Sequence, residues 1–250
     1  MSQQRQALAF SALHQKHNPV ILYNIWDAGS ALAVEQAGAK AIATGSWSCA
    51  AAQGYQDGEA MPFASLLQTV QRIASVISLP LTVDFETGYG ADRCDNLSAL
   101  LQAGVVGINV EDQQMGSSAL NGVREQCEIL TSLRQVAETQ GIALFINART
   151  DVFLQQPDAS QHPVLMAEAK KRLAAYQDAG ASGFFAPGLS DPGLIAELCE
   201  ISALPVNIMA SSLTPPLAEL IAAGVSRLSY GPHPYIGLME SLTQQARALY

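Results

Sequence analysis

Short apolar runs alternate along the chain with longer segments in which apolar residues recur every three or four positions. The short runs predict eight strands, at Val20–Ile25, Ala41–Gly45, Leu81–Glu86, Gly107–Asp112, Ala143–Asp151, Gly183–Pro187, Val206–Ala210 and Arg227–Gly231. The periodic segments predict helices, among them Phe63–Ile77, Val123–Thr139, Pro163–Ala179 and Pro215–Ala223. Because the runs are mostly apolar, we expect strands that are buried on both faces, as in a parallel sheet.

A weak internal repeat supports this division of the chain. Several periodic segments end in an Ala-Gly-Ala or Ala-Gly-Val triplet, and a short apolar run follows each one. The triplets are Ala37–Ala39, Ala103–Val105, Ala179–Ala181 and Ala223–Val225. Eight strand–helix units predict a (β/α)8 TIM barrel of the α/β class. We expect residues 1–250 to form one domain, with a helix before the first strand. The alternative is a doubly wound open sheet, but Asn24–Asp27 stand where its G-x-G-x-x-G fingerprint would lie.

Composition and charge exclude several classes of protein. The chain has 250 residues, 49% of them hydrophobic, which is enough for one large core. Its formal net charge is −9 and its densest basic run is only Lys170–Arg172, so we expect no nucleic-acid partner. No apolar stretch is long enough to span a membrane, and Met1–Phe10 lacks the apolar core of a secretion signal. Four widely spaced cysteines argue against zinc and favour a reducing cytoplasm.

Polar residues collect at the predicted C-terminal ends of the strands, where TIM-barrel enzymes carry their chemistry. Asp84 and Glu86 lie two positions apart and therefore share one face of a strand, as do Arg149 and Asp151. Further polar residues at these ends are Asn24, Asp27, Thr44, Ser46, Glu111, Asp112, Asn147 and Asn207. Carboxylates that converge in this way repel each other unless a cation lies among them. Hard oxygen ligands without nearby His or Cys favour Mg²⁺ or Mn²⁺ over zinc, and the alternative is a salt-bridged barrel rim.

The positions of the lysines and serines argue against two classes of enzyme, the Schiff-base aldolases and the serine hydrolases. The lysines are Lys16, Lys40, Lys170 and Lys171, and none lies at the C-terminal end of a predicted strand. A Schiff-base aldolase needs a desolvated lysine there. The chain also lacks the G-x-S-x-G motif of a serine hydrolase.

Several motifs together resemble one family nearly from end to end. They are Asn24–Ala31, Thr44–Ser46, Gly54–Glu59, Val83–Gly90, Asn109–Asp112, Asn147–Asp151, Phe185–Leu189 and Pro205–Asn207. The chain resembles the isocitrate lyase / phosphoenolpyruvate mutase superfamily, and in particular its short, phosphoenolpyruvate phosphonomutase-like members. The strings D-x-E-x-G-Y-G and N-A-R-T-D are specific in combination.

The resemblance implies a role for each site residue. Asp84 is expected to bind the metal directly, while Asp57, Glu86 and Glu111 hold metal-bound waters. The backbone amides of Ser46 and Trp47 are expected to bind the substrate carboxylate and Arg149 its other end, with Asn207 and Tyr55 lining the pocket. The implied reaction is Mg²⁺-dependent cleavage next to the carbonyl of a small, oxaloacetate-like 2-oxo acid through an enolate. The resemblance also implies a homo-oligomer, a dimer or tetramer, whose C-terminal helix can be exchanged between subunits.

The loop after the fourth strand departs from the family pattern. Lyase members carry a K-K/R-C-G-H motif there, whereas residues 113–122 contain no Lys, Cys or His. This favours reactions that need no protein acid for bond cleavage, such as decarboxylation. Two alternatives stay open: P–C bond chemistry on phosphonopyruvate, with Ser117 or Ser118 as a candidate nucleophile, and a barrel that binds a 2-oxo acid or oxalate without turnover. His233, after the eighth strand, is a candidate catalytic acid or base, or else an exposed turn residue.

Overall fold

The computed structural model of the protein describes residues 2–117 and 119–250. The strands are β1 (Val20–Leu22), β2 (Ile42–Ala43), β3 (Leu81–Asp84), β4 (Gly107–Glu111), β5 (Phe145–Arg149), β6 (Gly183–Phe185), β7 (Val206–Met209) and β8 (Arg227–Ser229). The helices are α1 (Gln3–Ala12), α2 (Ala28–Gln36), α3 (Ser46–Ala52), α4 (Phe63–Ala74), α5 (Arg93–Gln102), α6 (Val123–Thr139), α7 (His162–Asp178), α8 (Pro192–Ile201), α9 (Leu217–Ala222) and α10 (His233–Arg247).

All eight strands are parallel and follow one another around a barrel. β1 pairs with β8, and each later strand pairs with its sequence neighbour down to β2. The remaining seam between β1 and β2 closes through a parallel bridge between Ile25 and Thr44, where the Ile25 amide donates to the carbonyl of Ala43 at 2.8 Å. The predicted TIM barrel is confirmed. No described helix, in residues 2–117 and 119–250, is both long and apolar enough to cross a membrane.

The observed strands are shorter than the predicted ones, mainly at the end that carries the polar residues. The prediction for the fifth strand was Ala143–Asp151, whereas β5 spans Phe145–Arg149. Likewise Glu86 lies beyond the end of β3, with a φ of 51° that no strand accommodates. Apolar periodicity does not show where the chain leaves the sheet, because the rim residues continue the same alternation while their backbone turns.

Two apolar clusters hold the barrel together. The larger one lies between the outer face of the sheet and the surrounding helices. The smaller one fills the N-terminal half of the barrel interior, where α1 covers the opening with Phe10 and Ala7. His14 completes this closure: its ring stacks on Phe145 with the centroids 3.9 Å apart, and burial lowers its pKa to about 3. A neutral histidine is thus part of the core at the end of the barrel opposite the polar residues.

Glycines inside the barrel leave room for this closure. A Cβ on Gly107 would lie 2.6 Å from the Phe10 ring and 2.8 Å from the hydroxyl oxygen of Thr82. We expect Gly107→Ala to lower the free energy of unfolding by about 1–3 kcal/mol, because the added methyl forces the core apart. Urea denaturation measures this. Gly122→Ala is the matched control, since a Cβ there meets no described heavy atom within 4 Å. Equal losses in both variants would contradict the packing argument.

Candidate active site

A cavity of about 220 Å³ opens at the C-terminal ends of the strands. It brings together five of the residues predicted from the sequence, namely Ser46, Trp47, Asp57, Asp84 and Arg149. Its remaining lining is Asn24, Gly45, Asn109, Leu154, Phe185, Pro187, Met209, Ser229, Gly231 and Pro232. The acidic side chains and Arg149 therefore share one small space with an apolar wall.

Asp84, the last residue of β3, is held by groups of the neighbouring strand β2 and its loop. Its Oδ2 accepts the backbone N–H of Ser46 at 3.1 Å, and its own N–H donates to the Thr44 hydroxyl at 2.9 Å. On the other side, the amide nitrogen of Asn109 lies 3.5 Å from Oδ1. These contacts orient the carboxylate toward the cavity. They also show that the Ser46 amide, predicted to bind substrate, bonds to Asp84 in this structure.

Glu86 is fixed by a clamp between two loops. Its carboxylate accepts the N–H of Glu59 at 2.6 Å and the Tyr89 hydroxyl at 2.7 Å. The Glu59 carboxylate in turn accepts the N–H and hydroxyl of Thr87 and the N–H of Tyr89. Glu59, Glu86 and Tyr89 have φ of 58°, 51° and 62°, a left-handed conformation that costs non-glycine residues free energy and occurs often at functional sites. The clamp thus joins the loop of Asp57 to the loop that follows Asp84.

Arg149 lies between two carboxylates. Its Nη1 is 2.8 Å from Glu111, while Nε and Nη2 form a two-pronged pair with Asp151 at 2.6 and 2.9 Å. Asp151 is anchored through its N–H to Asp112, whose carboxylate also accepts Arg172. The sequence predicts that Arg149 binds substrate, and in the structure one edge of its planar guanidinium is already bound to Asp151. Three of its five N–H groups are used, which leaves two for a ligand.

The environment of these acids disfavours their ionisation. Burial raises the pKa of Glu86 to about 7, with Asp84 adding to the rise and Tyr89 opposing it. Burial also raises the pKa of Glu111 to about 8, although Arg149 offsets part of the effect. Burial opposes the charge of Arg149 as well, yet Glu111 and Asp151 together raise its pKa above the ordinary value. A cation near Glu86 and Glu111 would remove the penalty on their charged forms.

The donor set fits a hard divalent cation held by few direct ligands. Among residues 2–117 and 119–250, no group of three or more His, Cys, Asp or Glu side chains converges closely enough to hold a metal alone. Mg²⁺ does not require such a group, because it keeps several waters and commonly binds one or two carboxylates directly. Asp84 lines the cavity, whereas the buried Glu86 and Glu111 lie outside its lining.

Besides Glu86 and Glu111, three predicted site residues do not line this cavity. Asn207 is buried, and its side-chain oxygen accepts the Ser229 hydroxyl at 3.3 Å. Tyr55 is 40% exposed and does not line the cavity. His233 begins α10, with its ring near the Tyr230 carbonyl, and lines a different, outer groove. The roles predicted for all three stay predictions.

The loop after β4 folds back on itself. Gln113 and Leu120 form an antiparallel bridge, and the Ser117 hydroxyl accepts the N–H of Ala119 at 3.1 Å. Ser117 does not line the cavity. Ser118, the other candidate nucleophile, lies outside the described residues.

The sequence did not predict four residues that contact or support the site. Glu59 and Tyr89 form the clamp, Asn109 touches Asp84, and Arg227 is buried behind Asn109. Glu59 and Tyr89 lie inside two of the motifs that resemble the family, close in sequence to Asp57 and Glu86. That proximity could have indicated that they belong to the site. The left-handed backbone that brings them together leaves no periodic trace in the sequence.

Comparison with known proteins places this geometry in a family. A family model described as phosphoenolpyruvate phosphomutase matches residues 10–250. The chain belongs to this family. The predicted membership of the phosphoenolpyruvate mutase/isocitrate lyase superfamily is therefore confirmed. The chain is an enzyme of a superfamily whose members include lyases and mutases.

Individual relatives agree with this membership. A solved structure from Burkholderia cenocepacia J2315, described provisionally as a phosphonomutase, is 41% identical, with all of both chains covered and a TM-score of 0.96. The 2-methylisocitrate lyase of Escherichia coli K12 is 29% identical over 92% of this chain and 79% of its own length. A phosphonopyruvate hydrolase solved with oxalate and Mg²⁺ is 20% identical over 97% of this chain and 87% of its own, with a TM-score of 0.81, and shares the fold.

The raised pKa values predict how the stability of the metal-free protein depends on pH. The folded protein binds the Glu86 and Glu111 protons more tightly than the unfolded chain, whose carboxyls titrate near 4.5. The stability contributed by these protons is full below pH about 4.5 and is lost as pH rises through about 7 and 8. Urea unfolding of wild type and Glu111→Gln, compared from pH 5 to 9, should show wild type losing stability relative to the variant. A difference that is constant with pH would contradict the raised pKa of Glu111.

Proposed function

We propose that the protein is a Mg²⁺-dependent lyase or decarboxylase that cleaves a C–C bond next to the carbonyl of a small, oxaloacetate-like 2-oxo acid, through an enolate. The observation that carries the proposal is the cavity that Asp84 and Arg149 share. A metal site and a guanidinium there can bind both ends of one small dianion. The described lining contains no Lys, Cys, His or Tyr to act as a proton donor, which suits decarboxylation because water can protonate the enolate.

We propose that Asp84 binds the metal directly and that Asp57, Glu86 and Glu111 act through water, as the family resemblance implies. When bound, Mg²⁺ supplies a Lewis acid that stabilises negative charge on the substrate oxygens. The Glu59 N–H and the Tyr89 hydroxyl fix the orientation of the Glu86 carboxylate. Mn²⁺ has the same preference for oxygen ligands and is expected to replace Mg²⁺.

The other side chains bind and enclose the substrate. The two remaining N–H groups of Arg149 donate to the end of the substrate away from the metal, and Glu111 and Asp151 hold the guanidinium rigid for that contact. Ser46 and Trp47 line the cavity at the start of α3, and their backbone amides are proposed to bind the carboxylate. The Ser46 N–H would then exchange its present partner, Asp84, for the substrate. Leu154, Phe185, Pro187 and Met209 form the apolar wall, which excludes water from the reacting bond and strengthens these charge interactions.

P–C bond chemistry on phosphonopyruvate is the second candidate. The relative that is 41% identical over its full length and is described provisionally as a phosphonomutase favours it. A phosphonate and a carboxylate are both anions that Arg149 can bind. The third candidate, a barrel that binds a 2-oxo acid or oxalate without turnover, shares the same metal and Arg149 contacts and is separated from the others only by activity.

Metal-dependent release of pyruvate tests the proposal. Oxaloacetate, phosphonopyruvate and 2-methylisocitrate are offered in turn, and lactate dehydrogenase reports pyruvate, with Mg²⁺ or with a chelator. We expect Mg²⁺-dependent release from oxaloacetate and a loss of about two orders of magnitude or more in Asp84→Asn, because the direct metal ligand is weakened.

Glu35→Gln is the matched control for that assay. Glu35 is also a carboxylate that accepts a backbone N–H and a hydroxyl, both from Ser78, but it lies on α2 away from the cavity. Its variant should keep wild-type activity. Pyruvate from phosphonopyruvate alone would establish the second candidate as a hydrolase. A mutase would form phosphoenolpyruvate instead, which added pyruvate kinase and ADP convert to pyruvate. Silence from all three substrates with this second coupling present, in folded protein, would leave the binding barrel.

We also propose a cytoplasmic homo-oligomer in which α10 packs against a neighbouring subunit. Of the residues of α10, Pro234 is buried, while Ile236, Leu238 and Leu242 are 36%, 52% and 58% exposed. A groove of about 750 Å³ runs beside this helix. An apolar helix face exposed to this extent favours a protein partner, and the four described cysteines, all free, suit a reducing compartment.

Light scattering tests the oligomer. We expect wild type to have the mass of a dimer or tetramer and the double variant Leu238→Glu, Leu242→Glu to have a smaller mass, because two charges would be buried in the interface. Val164→Glu is the control, since Val164 is a 73% exposed aliphatic residue on α7. A monomeric wild type would contradict the proposal.

A further inference from the structure

Arg227, the first residue of β8, is a buried cation without a carboxylate partner. Its side chain is 1% exposed and faces the barrel interior. Within the described residues its one hydrogen bond runs from Nη2 to the side-chain oxygen of Asn109 at 3.0 Å, while Nε and Nη1 have no partner. The described salt bridges do not include it. An arginine is rarely buried without a partner, because removing the charge from water costs much free energy.

Asn109 lies between Arg227 and Asp84, the proposed metal ligand, and contacts both. The oxygen of Asn109 accepts from Arg227 and also from the Asn147 amide at 2.9 Å. These two donors fix the orientation of the Asn109 amide, so that its nitrogen faces Oδ1 of Asp84 at 3.5 Å. A single amide group therefore separates the guanidinium from Asp84.

The other neighbours of Arg227 do not neutralise it. On its far side lies His14, which is uncharged because burial, with Arg227 adding to the effect, lowers its pKa to about 3. Asn207 and Val20 are its register partners on the adjoining strands and carry no charge. Burial lowers the pKa of Arg227 to about 9 and Asp84 opposes that shift, so the guanidinium is charged at neutral pH.

We propose that Arg227 is a positioning residue that holds a permanent positive charge beneath the metal and substrate site. Acting across Asn109, this charge favours a dianionic ligand and the enolate that forms above it, and disfavours the divalent cation. The inference rests on the proposed function, because it assumes that Asp84 binds the metal. It goes beyond that function by assigning opposite effects on cation and anion to one buried side chain. In a dry interior a unit charge several ångströms away can change an affinity tenfold or more.

Two binding measurements test the proposal without turnover. Electron paramagnetic resonance follows Mn²⁺ binding to the protein alone, and calorimetry follows oxalate binding to protein saturated with Mn²⁺. Oxalate is a planar dianion that resembles the enolate of a 2-oxo acid. We expect Arg227→Met to bind Mn²⁺ about tenfold more tightly and oxalate about tenfold more weakly, because the repulsion of one and the attraction of the other are lost. Arg227→Lys, which keeps the charge, should stay near wild type in both.

Arg134→Met is the matched control. Arg134 is a partly buried arginine on α6 that bonds to the carbonyls of Leu144 and Gly180 and the hydroxyl of Ser182, without a carboxylate. Its removal tests the general effect of losing such a side chain, and it should change neither affinity. If Arg227→Met does not fold, Arg227→Gln is measured in its place.

The possible results distinguish a failure of the role proposed for Arg227 from a failure of the proposed function. Opposite shifts in the two affinities support the proposal. Weakening of both affinities, which a disturbed core would cause, or no change in either, overturns it while leaving the proposed function intact. Wild type that binds neither Mn²⁺ nor oxalate overturns the proposed function and the role of Arg227 together.

Discussion

The central constraint on this molecule is the repulsion among acidic side chains at one end of a barrel. The ends of β3 and β4 bring Asp84, Glu86 and Glu111 to one end of the barrel, where burial disfavours the charges of Glu86 and Glu111. Arg149 compensates Glu111 and Asp151, which leaves the side near Asp84 in need of positive charge. A divalent cation there, as proposed, would satisfy that need.

The rest of the site holds these charges in place. Three left-handed residues, Glu59, Glu86 and Tyr89, are kept in a costly conformation by hydrogen bonds that run in both directions between two loops. Strain of this kind persists only where the surrounding contacts over-determine it. At the opposite end, α1 and the neutral His14 close the barrel with apolar contacts. The cavity opens at the end with the acids.

The fold was predictable because eight buried strands and their helices repeat a simple pattern, and because the C-terminal ends of parallel strands must meet. Because the strand ends meet, Asp84 and Arg149 were expected at one place, and both line the cavity. The pattern did not show that Asp151 occupies one edge of the Arg149 guanidinium, because the period of two only places both side chains on one face, and their rotamers decide the pairing. Arg227 was missed for a different reason, since one basic residue within a short apolar run does not reveal that it faces inward.

The most direct test of this account is a crystal structure of the protein grown with Mn²⁺ and oxalate, with an anomalous difference map calculated for manganese. We predict one strong peak at direct coordination distance from Asp84, with Glu86 and Glu111 farther away and linked through water. Oxalate should lie between that peak and Arg149. A peak bound directly by Glu86 and Glu111 but not by Asp84, or a cavity that holds oxalate without manganese, would contradict it.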